Sequence, residues 1–292
     1  MITFKGLMIT RIHGMAALLN GDFFEVEKYF NLSGENYNIR CKIYFNPSGQ
    51  NLPDAGSDLS PSELSFRHII VFCHGFAGDK DNRAAHLLSD KVLAQHSDTA
   101  LVIFNWPAHG DDEHSCIALD DCDRYLTEVL RFVEDTYRPQ ILDACATSFG
   151  GYLVLKYLAD HGRNPFRRIC LRCPAVVMYY VLTEVIFTPE DKKILSEGGH
   201  VPAGFDRIFE ITPSFLEELK GADIRLSDFR QYADCIKIVQ GMKDELVPYL
   251  EVKGFAEKNG ISCLLVEDAD HRFLEPPRLD IVLDTFAEFL GF

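Results

Sequence analysis

Six short runs, almost wholly apolar, recur between residues 69 and 266 and constrain the fold more than anything else in the chain. They are Ile69-Ile70-Val71-Phe72-Cys73, Ala100-Leu101-Val102-Ile103-Phe104, Ile141-Leu142-Asp143-Ala144-Cys145, Arg168-Ile169-Cys170-Leu171-Arg172, and the stretches 236–240 and 262–266. Runs this short and continuous read as strands covered on both faces. Helical patterns fall between several of them, at about 82–95, about 121–136, after Ser148, and from Tyr249 to Asn259, closed by Gly260 as a C-terminal cap. A last helix begins at about Pro277, with Leu279, Leu283, Phe286 and Leu290 on one face. Strands alternating with helices imply an α/β fold with a mostly parallel sheet covered on both sides.

The ends of the pattern differ. Residues 22–30, with Phe23, Phe24, Val26 and Tyr29, and residues 37–45 predict an antiparallel hairpin around Ser33-Gly34-Glu35-Asn36. Residues 46–66 are rich in Pro, Ser, Gly, Asp and Asn and read as a surface loop. Residues 174–233 separate two strands by far more than a crossover helix needs. Their aromatics (Tyr179, Tyr180, Phe187, Phe205, Phe209, Phe215) argue against disorder, and Thr212-Pro213-Ser214 opens a capped short helix. The expected organisation is a core of residues 1–173 and 234–292, with 174–233 inserted as a cap over the site.

Chemistry enters at Ala146-Thr147-Ser148-Phe149-Gly150, where a strand turns directly into a helix. A serine flanked by small residues at such a turn suggests a nucleophile elbow. Ala146 stands where glycine is usual. In an open parallel sheet, functional groups gather beyond the carboxyl ends of the strands. After the first parallel strand comes His74-Gly75-Phe76-Ala77-Gly78-Asp79. After the strand at 236–240 comes Gly241-Met242-Lys243-Asp244-Glu245-Leu246-Val247-Pro248, and after the last strand Glu267-Asp268-Ala269-Asp270-His271-Arg272-Phe273. The order along the chain is serine, acid, histidine.

Those four pieces together resemble the α/β-hydrolase superfamily, from about residue 22 to the C-terminus. The chain is similar to the esterase branch that includes bacterial cinnamoyl (feruloyl) esterases and monoacylglycerol-lipase-like enzymes. The resemblance implies that Ser148 is the nucleophile, Asp244 the acid and His271 the base, with the backbone N–H groups of Phe76 and Phe149 forming an oxyanion hole. It implies an acyl-enzyme route that uses no metal and no cofactor.

Other groups compete for these roles. Glu245 adjoins Asp244 but is one carbon longer and points a different way. Asp268 and Asp270 are too near His271 in sequence to orient it easily and read as surface or loop-bracing groups. His74 reads as a brace for its own loop. His109, in Trp106-Pro107-Ala108-His109-Gly110-Asp111, reads as part of a structural turn. His200 could face substrate or solvent. Asp143, inside a strand, has no account beyond a hydrogen bond to a neighbouring loop.

Charge and cysteine usage bound the partners. The net charge of −15 repels phosphate backbones and anionic lipid, which argues against nucleic-acid and membrane partners. No run approaches the ~18–20 apolar residues of a membrane helix. The first twenty residues hold only a short apolar patch, Met15 to Leu19, with no convincing cleavage site. The nine cysteines lack a repeating frame, and Cys73, Cys145, Cys170 and Cys263 lie in apolar runs, as buried thiols in a reducing cytoplasm do. Cys170-Leu171-Arg172-Cys173 has redox or zinc spacing, but no second Cys/His pair completes a metal site.

The expectation is therefore a cytoplasmic serine esterase acting on a small-molecule ester with an apolar acyl or hydroxycinnamoyl group. A non-catalytic small-molecule binding protein on the same fold is the alternative from another class. Thioesterase, small-peptide hydrolase, lyase and acyltransferase chemistry use the same three residues. Oligomeric state stays open.

Overall fold

The computed structural model describes residues 26–35, 37–50, 63–204 and 207–292. The expectations for the first twenty residues, for Phe23 and Phe24, for most of the 46–66 loop and for Phe205 fall wholly or partly outside the described residues.

An eight-stranded sheet organises the chain. Its strands are β1 (Val26–Ser33), β2 (Asn38–Phe45), β3 (His68–Cys73), β4 (Thr99–Phe104), β5 (Ile141–Thr147), β6 (Ile169–Arg172), β9 (Ile236–Gly241) and β10 (Ser262–Val266), in the spatial order β1-β2-β4-β3-β5-β6-β9-β10. The first hairpin pairs antiparallel, with Val26 opposite Phe45, and β2 joins β4 antiparallel. All the remaining pairings are parallel. Each apolar run of the sequence is one of the parallel strands.

Continuous apolar runs have a direct physical cause here. In β3, Ile69, Val71 and Cys73 enter one core cluster, while Ile70 and Phe72 enter another on the opposite face. Helices α2 (Leu119–Tyr137), α3 (Phe149–His161) and α7 (Tyr249–Asn259) pack on the first face. Helices α1 (Arg83–Leu93) and α8 (Pro276–Leu290) pack on the second and touch each other. Water reaches neither side of the central strands, so alternation has nothing to respond to.

The order β4-β3-β5 sets the site. From β3 the chain runs through α1 to β4 on one side, and from β5 it runs through α3 to β6 on the other. Connections that diverge from two adjacent parallel strands leave a crevice at their carboxyl ends. The loop after β3 and the turn after β5 flank that crevice.

Residues 174–233 fold between β6 and β9. They form α4 (Met178–Tyr180) running into a π-helical turn at Val181–Ile186, then α5 (Pro189–Ser196), a two-stranded ribbon of β7 (Val201–Ala203) and β8 (Phe209–Ile211), and α6 (Pro213–Gly221). Thr212 caps α6 by accepting the Phe215 N–H, as its sequence predicts. The ribbon was not foreseen: strands of three residues are too short to show a period, and Pro202 disguises one of them.

Candidate active site

The serine turn is held by close backbone packing. Ser148 has φ 52° and ψ −117°, a conformation that costs a residue with a side chain about 1–3 kcal/mol. Three hydrogen bonds fix it. Ser148 N–H donates to the Arg172 carbonyl at 2.9 Å, and the Ser148 carbonyl accepts from Ala175 N–H at 3.0 Å and Tyr152 N–H at 3.1 Å. Behind the serine, a Cβ on Gly150 would stand 2.2 Å from the Cys73 carbonyl oxygen, so the first turn of α3 rests directly on the end of β3. Ala146 is fully buried opposite Cys73 in register. Alanine supplies a small side chain at that buried position.

The fold brings Ser148, His271 and Asp244 into line. Ser148 Oγ lies 2.9 Å from His271 Nε2, and His271 Nδ1 lies 2.8 Å from Asp244 Oδ2. The Asp244 carboxylate has no solvent exposure. Gln240 Nε2 donates to its Oδ2 at 2.9 Å, and the N–H groups of Leu246 and Val247 donate to its Oδ1 at 2.9 and 2.7 Å. Burial alone would raise this carboxyl's pKa. The hydrogen bond and charge of His271, with the Val247 and Gln240 donors, outweigh burial and hold it below the ordinary carboxylate value. Asp244 therefore faces the imidazole as an anion.

The competing acids occupy other positions. Glu245 Oε2 accepts the backbone N–H of His271 at 3.2 Å, bracing the histidine loop from outside the relay. Asp270 accepts Leu274 N–H at 3.2 Å, and Asp268 pairs with Lys243 at 2.5 Å.

The loop after β3 faces the serine turn across the crevice. A Cβ on Gly75 would come 3.2 Å from Ser148 Cβ. Gly78 N–H closes a turn onto the Gly75 carbonyl at 3.0 Å, leaving Phe76 at its bend. Among the described residues neither Phe76 N–H nor Phe149 N–H has a protein acceptor. Phe149 opens α3, where free N–H groups and the helix dipole favour negative charge. The two rings pack edge to face at 5.7 Å and hold these backbones in place.

His74 and His109 are buried behind this loop. Trp106 N–H approaches His74 Nε2 at 3.3 Å, so His74 carries its proton on Nδ1 and donates to the Gly75 carbonyl at 2.8 Å. Burial, with the neighbouring His109, lowers its pKa to about 3. His109 Nδ1 bonds the Pro107 carbonyl at 2.9 Å, its ring packs 4.5 Å from Phe209, and burial lowers it to about 4. It borders a recess with Ala77, Asp79 and Arg207 and is absent from the lining around Ser148. His200 is exposed and pairs with Glu210 at 2.8 Å.

A cavity of about 740 Å³ opens over Ser148 and His271. Met178, Val181, Ile186, Phe187 and Val201, all from the 174–233 segment, supply an apolar wall. Arg172 and Arg272 also line it. Sequence reading missed Gln240 and Arg172, although each is a polar side chain ending an apolar strand run.

Asp143 is buried at the other end of β5. It bonds His68 Nε2 at 2.8 Å, Arg167 at 2.5 and 3.1 Å, and Arg168 N–H at 2.9 Å. The expected loop contact is thus part of an ion network. Arg167 also reaches the Leu290 carbonyl, and Phe292 stacks on His68 at 5.1 Å.

Among the described residues, two side-chain groups have the composition and spacing to hold a metal ion. One is Cys173 with Asp244 and His271, which shares two members of the relay. The other, Cys116, His200 and Glu210, lies away from the serine cavity and joins positions that no sequence spacing connects. All nine cysteines are free. No described helix is long and apolar enough to cross a membrane.

Residues 68–235 match the family described as the alpha/beta hydrolase fold. No curated protein matches the sequence. Solved structures with the same fold include a protein from Agrobacterium vitis S4, 17% identical, covering 92% of this chain and 99% of its own, with a TM-score of 0.66. A soluble variant of monoglyceride lipase from Saccharomyces cerevisiae, solved with a substrate analog, is 11% identical (89% and 94% coverage, TM-score 0.63). Est1E from Butyrivibrio proteoclasticus, solved with ferulic acid, is 15% identical (89% and 97%, TM-score 0.62). At these identities the likeness is one of fold.

Proposed function

The chain belongs to the α/β-hydrolase family, and from that premise we propose that it is a serine hydrolase cleaving carboxylic esters through an acyl-enzyme. The observation that carries the reading is the unbroken relay from Ser148 Oγ through His271 to the buried Asp244 carboxylate, opening into a cavity. A binding protein has no use for such a relay.

The chemistry follows from the geometry. His271 Nε2 takes the hydroxyl proton as Ser148 Oγ adds to the ester carbonyl. Asp244 fixes the imidazole with its Nδ1 proton inward and stabilises the imidazolium that forms. The oxyanion of the tetrahedral intermediate accepts from Phe76 N–H and Phe149 N–H, each worth about 10²–10³ in rate in comparable sites. The imidazolium returns its proton to the departing alkoxide, leaving Ser148 acylated. Water then adds to the acyl carbonyl as His271 takes its proton, and the imidazolium returns that proton to Ser148 Oγ as the acyl–oxygen bond breaks, releasing the acid and the free serine.

Residues 174–233 act as a cap in this reading, and their apolar wall suits an apolar acyl or aryl group. Est1E, which binds ferulic acid, makes a hydroxycinnamoyl ester a substrate to try first. The free thiols support a reducing, cytoplasmic setting.

A fluorophosphonate probe tests the proposal. It should label the wild-type protein and leave Ser148→Ala unlabelled, with loss of nitrophenyl-ester turnover in the variant. Equal labelling of both proteins would remove Ser148 from the mechanism.

A further inference from the structure

The cavity over Ser148 carries charge opposite to that of the chain. Besides His271, its ionisable lining is Arg83, Arg172, Arg272 and Asp191, three cations to one anion, in a chain with 29 basic and 44 acidic residues.

Arg172 gives this inversion a chemical meaning. It ends β6, and its carbonyl holds the Ser148 amide at 2.9 Å, so it stands beside the serine. Its Nε is shut off from solvent and has no partner among the described residues. One terminal nitrogen reaches the Arg272 carbonyl at 3.4 Å, at the weak limit of a hydrogen bond. Two carboxylates act on it through space, Asp244 and Asp270. Asp244 is already committed to His271, Gln240, Leu246 and Val247, and Asp270 to Leu274. Neither forms an ion pair with Arg172 among the described residues. A buried guanidinium N–H without an acceptor is costly, while the outer end of the same side chain is exposed at the cavity, where a ligand can reach it. An anionic ligand group would complete it, because a guanidinium matches a carboxylate in shape and charge.

We propose that Arg172 forms an anion subsite beside Ser148, and that the preferred ester carries a carboxylate in its acyl or its leaving group. This rests on the esterase reading and narrows its substrate class. The apolar wall then takes the body of the substrate, and the arginine takes its charged end.

Two pairs of esters, each a carboxylate and its neutral methyl ester, test the subsite. 4-Nitrophenyl hydrogen adipate against 4-nitrophenyl methyl adipate places the carboxylate in the acyl group. 4-Butyryloxybenzoate against its methyl ester places it in the leaving group. The wild-type kcat/KM should favour the anionic member of at least one pair by about tenfold or more, the scale of a charged hydrogen bond. Arg172→Met should bring that ratio towards one, and Arg172→Lys should restore part of it. A wild-type ratio at or below one in both pairs, or an unchanged ratio in Arg172→Met, overturns the subsite. Absence of turnover with all four esters would refute the esterase reading instead. Calorimetric binding of the same anionic esters to Ser148→Ala still decides the subsite in that case. Binding of at least one that weakens about tenfold on adding Arg172→Met supports it, and affinity unchanged for both overturns it.

Discussion

Gln240 donates its amide to the same Asp244 oxygen that faces His271, at 2.9 Å. The glutamine sits fully buried at the end of β9 and ties the acid's turn to the sheet. Replacing it with leucine removes one donor from a buried carboxylate and loosens the aim of the imidazole. Gln240→Leu should lower kcat about tenfold, the equivalent of one hydrogen bond, with KM little changed. Steady-state kinetics on a nitrophenyl ester reads this directly, and a change confined to KM would count against it.

Asp244 and Glu245 are adjacent yet do different work. Asp244→Asn keeps the shape but leaves the imidazole in the wrong tautomer, and kcat should fall by about 10³–10⁴. Glu245→Gln preserves an acceptor for the His271 amide and should stay within about threefold of wild type. Comparable losses in the two variants would mean that the acid is misassigned.

Small volume at the serine turn can be separated from a need for glycine. Ala146→Gly should cost roughly 1 kcal/mol of stability in the strand and leave ester turnover in place. Gly150→Ala sets a methyl group against the Cys73 carbonyl and should cost about 3 kcal/mol or more. Urea midpoints rank the two, and the reverse ranking would contradict the packing.

The buried histidines make stability depend on pH. In the unfolded chain both titrate near their ordinary value of about 6.5, while the folded protein keeps His74 neutral down to about 3 and His109 down to about 4. Below pH ~6.5 the unfolded state binds more protons, so stability is full above that pH and falls as the solution is acidified. Each histidine contributes a slope of up to about 1.4 kcal/mol per pH unit, which ends when its folded form protonates. Denaturation between pH 7 and 4.5 should show this slope, and His109→Gln should flatten it. An unchanged slope in the variant would refute His109's share.

Which parts of this were legible in the sequence follows from how far apart the partners lie. The β3 run declares itself because five consecutive apolar residues need cover on both faces, and the Gly260 cap of α7 because a left-handed turn selects glycine. The relay residues each follow a strand end, where an open sheet gathers its chemistry. Asp143 was visible as an anomaly but not interpretable, since Arg167 and His68 join it only across the sheet. Arg172 and Gln240 looked like ordinary strand ends, because their meaning depends on a cavity and on an acid that lies in a later turn. The β7–β8 ribbon left no period to read.

The segment 174–233 leaves the sheet from β6 and returns into β9, and these two strands are direct neighbours, with Ile169 opposite Ile236. Because this pairing is parallel, the segment leaves at the carboxyl edge of the sheet, beside Ser148, and crosses to the opposite edge before β9 begins. A lineage can lengthen, shorten or exchange such a segment without shifting the register of any strand. The relay comes from the inherited frame, whereas much of the wall comes from the exchangeable piece. Substrate range can therefore drift quickly across descendants of this chain while the bond-breaking chemistry is passed on intact.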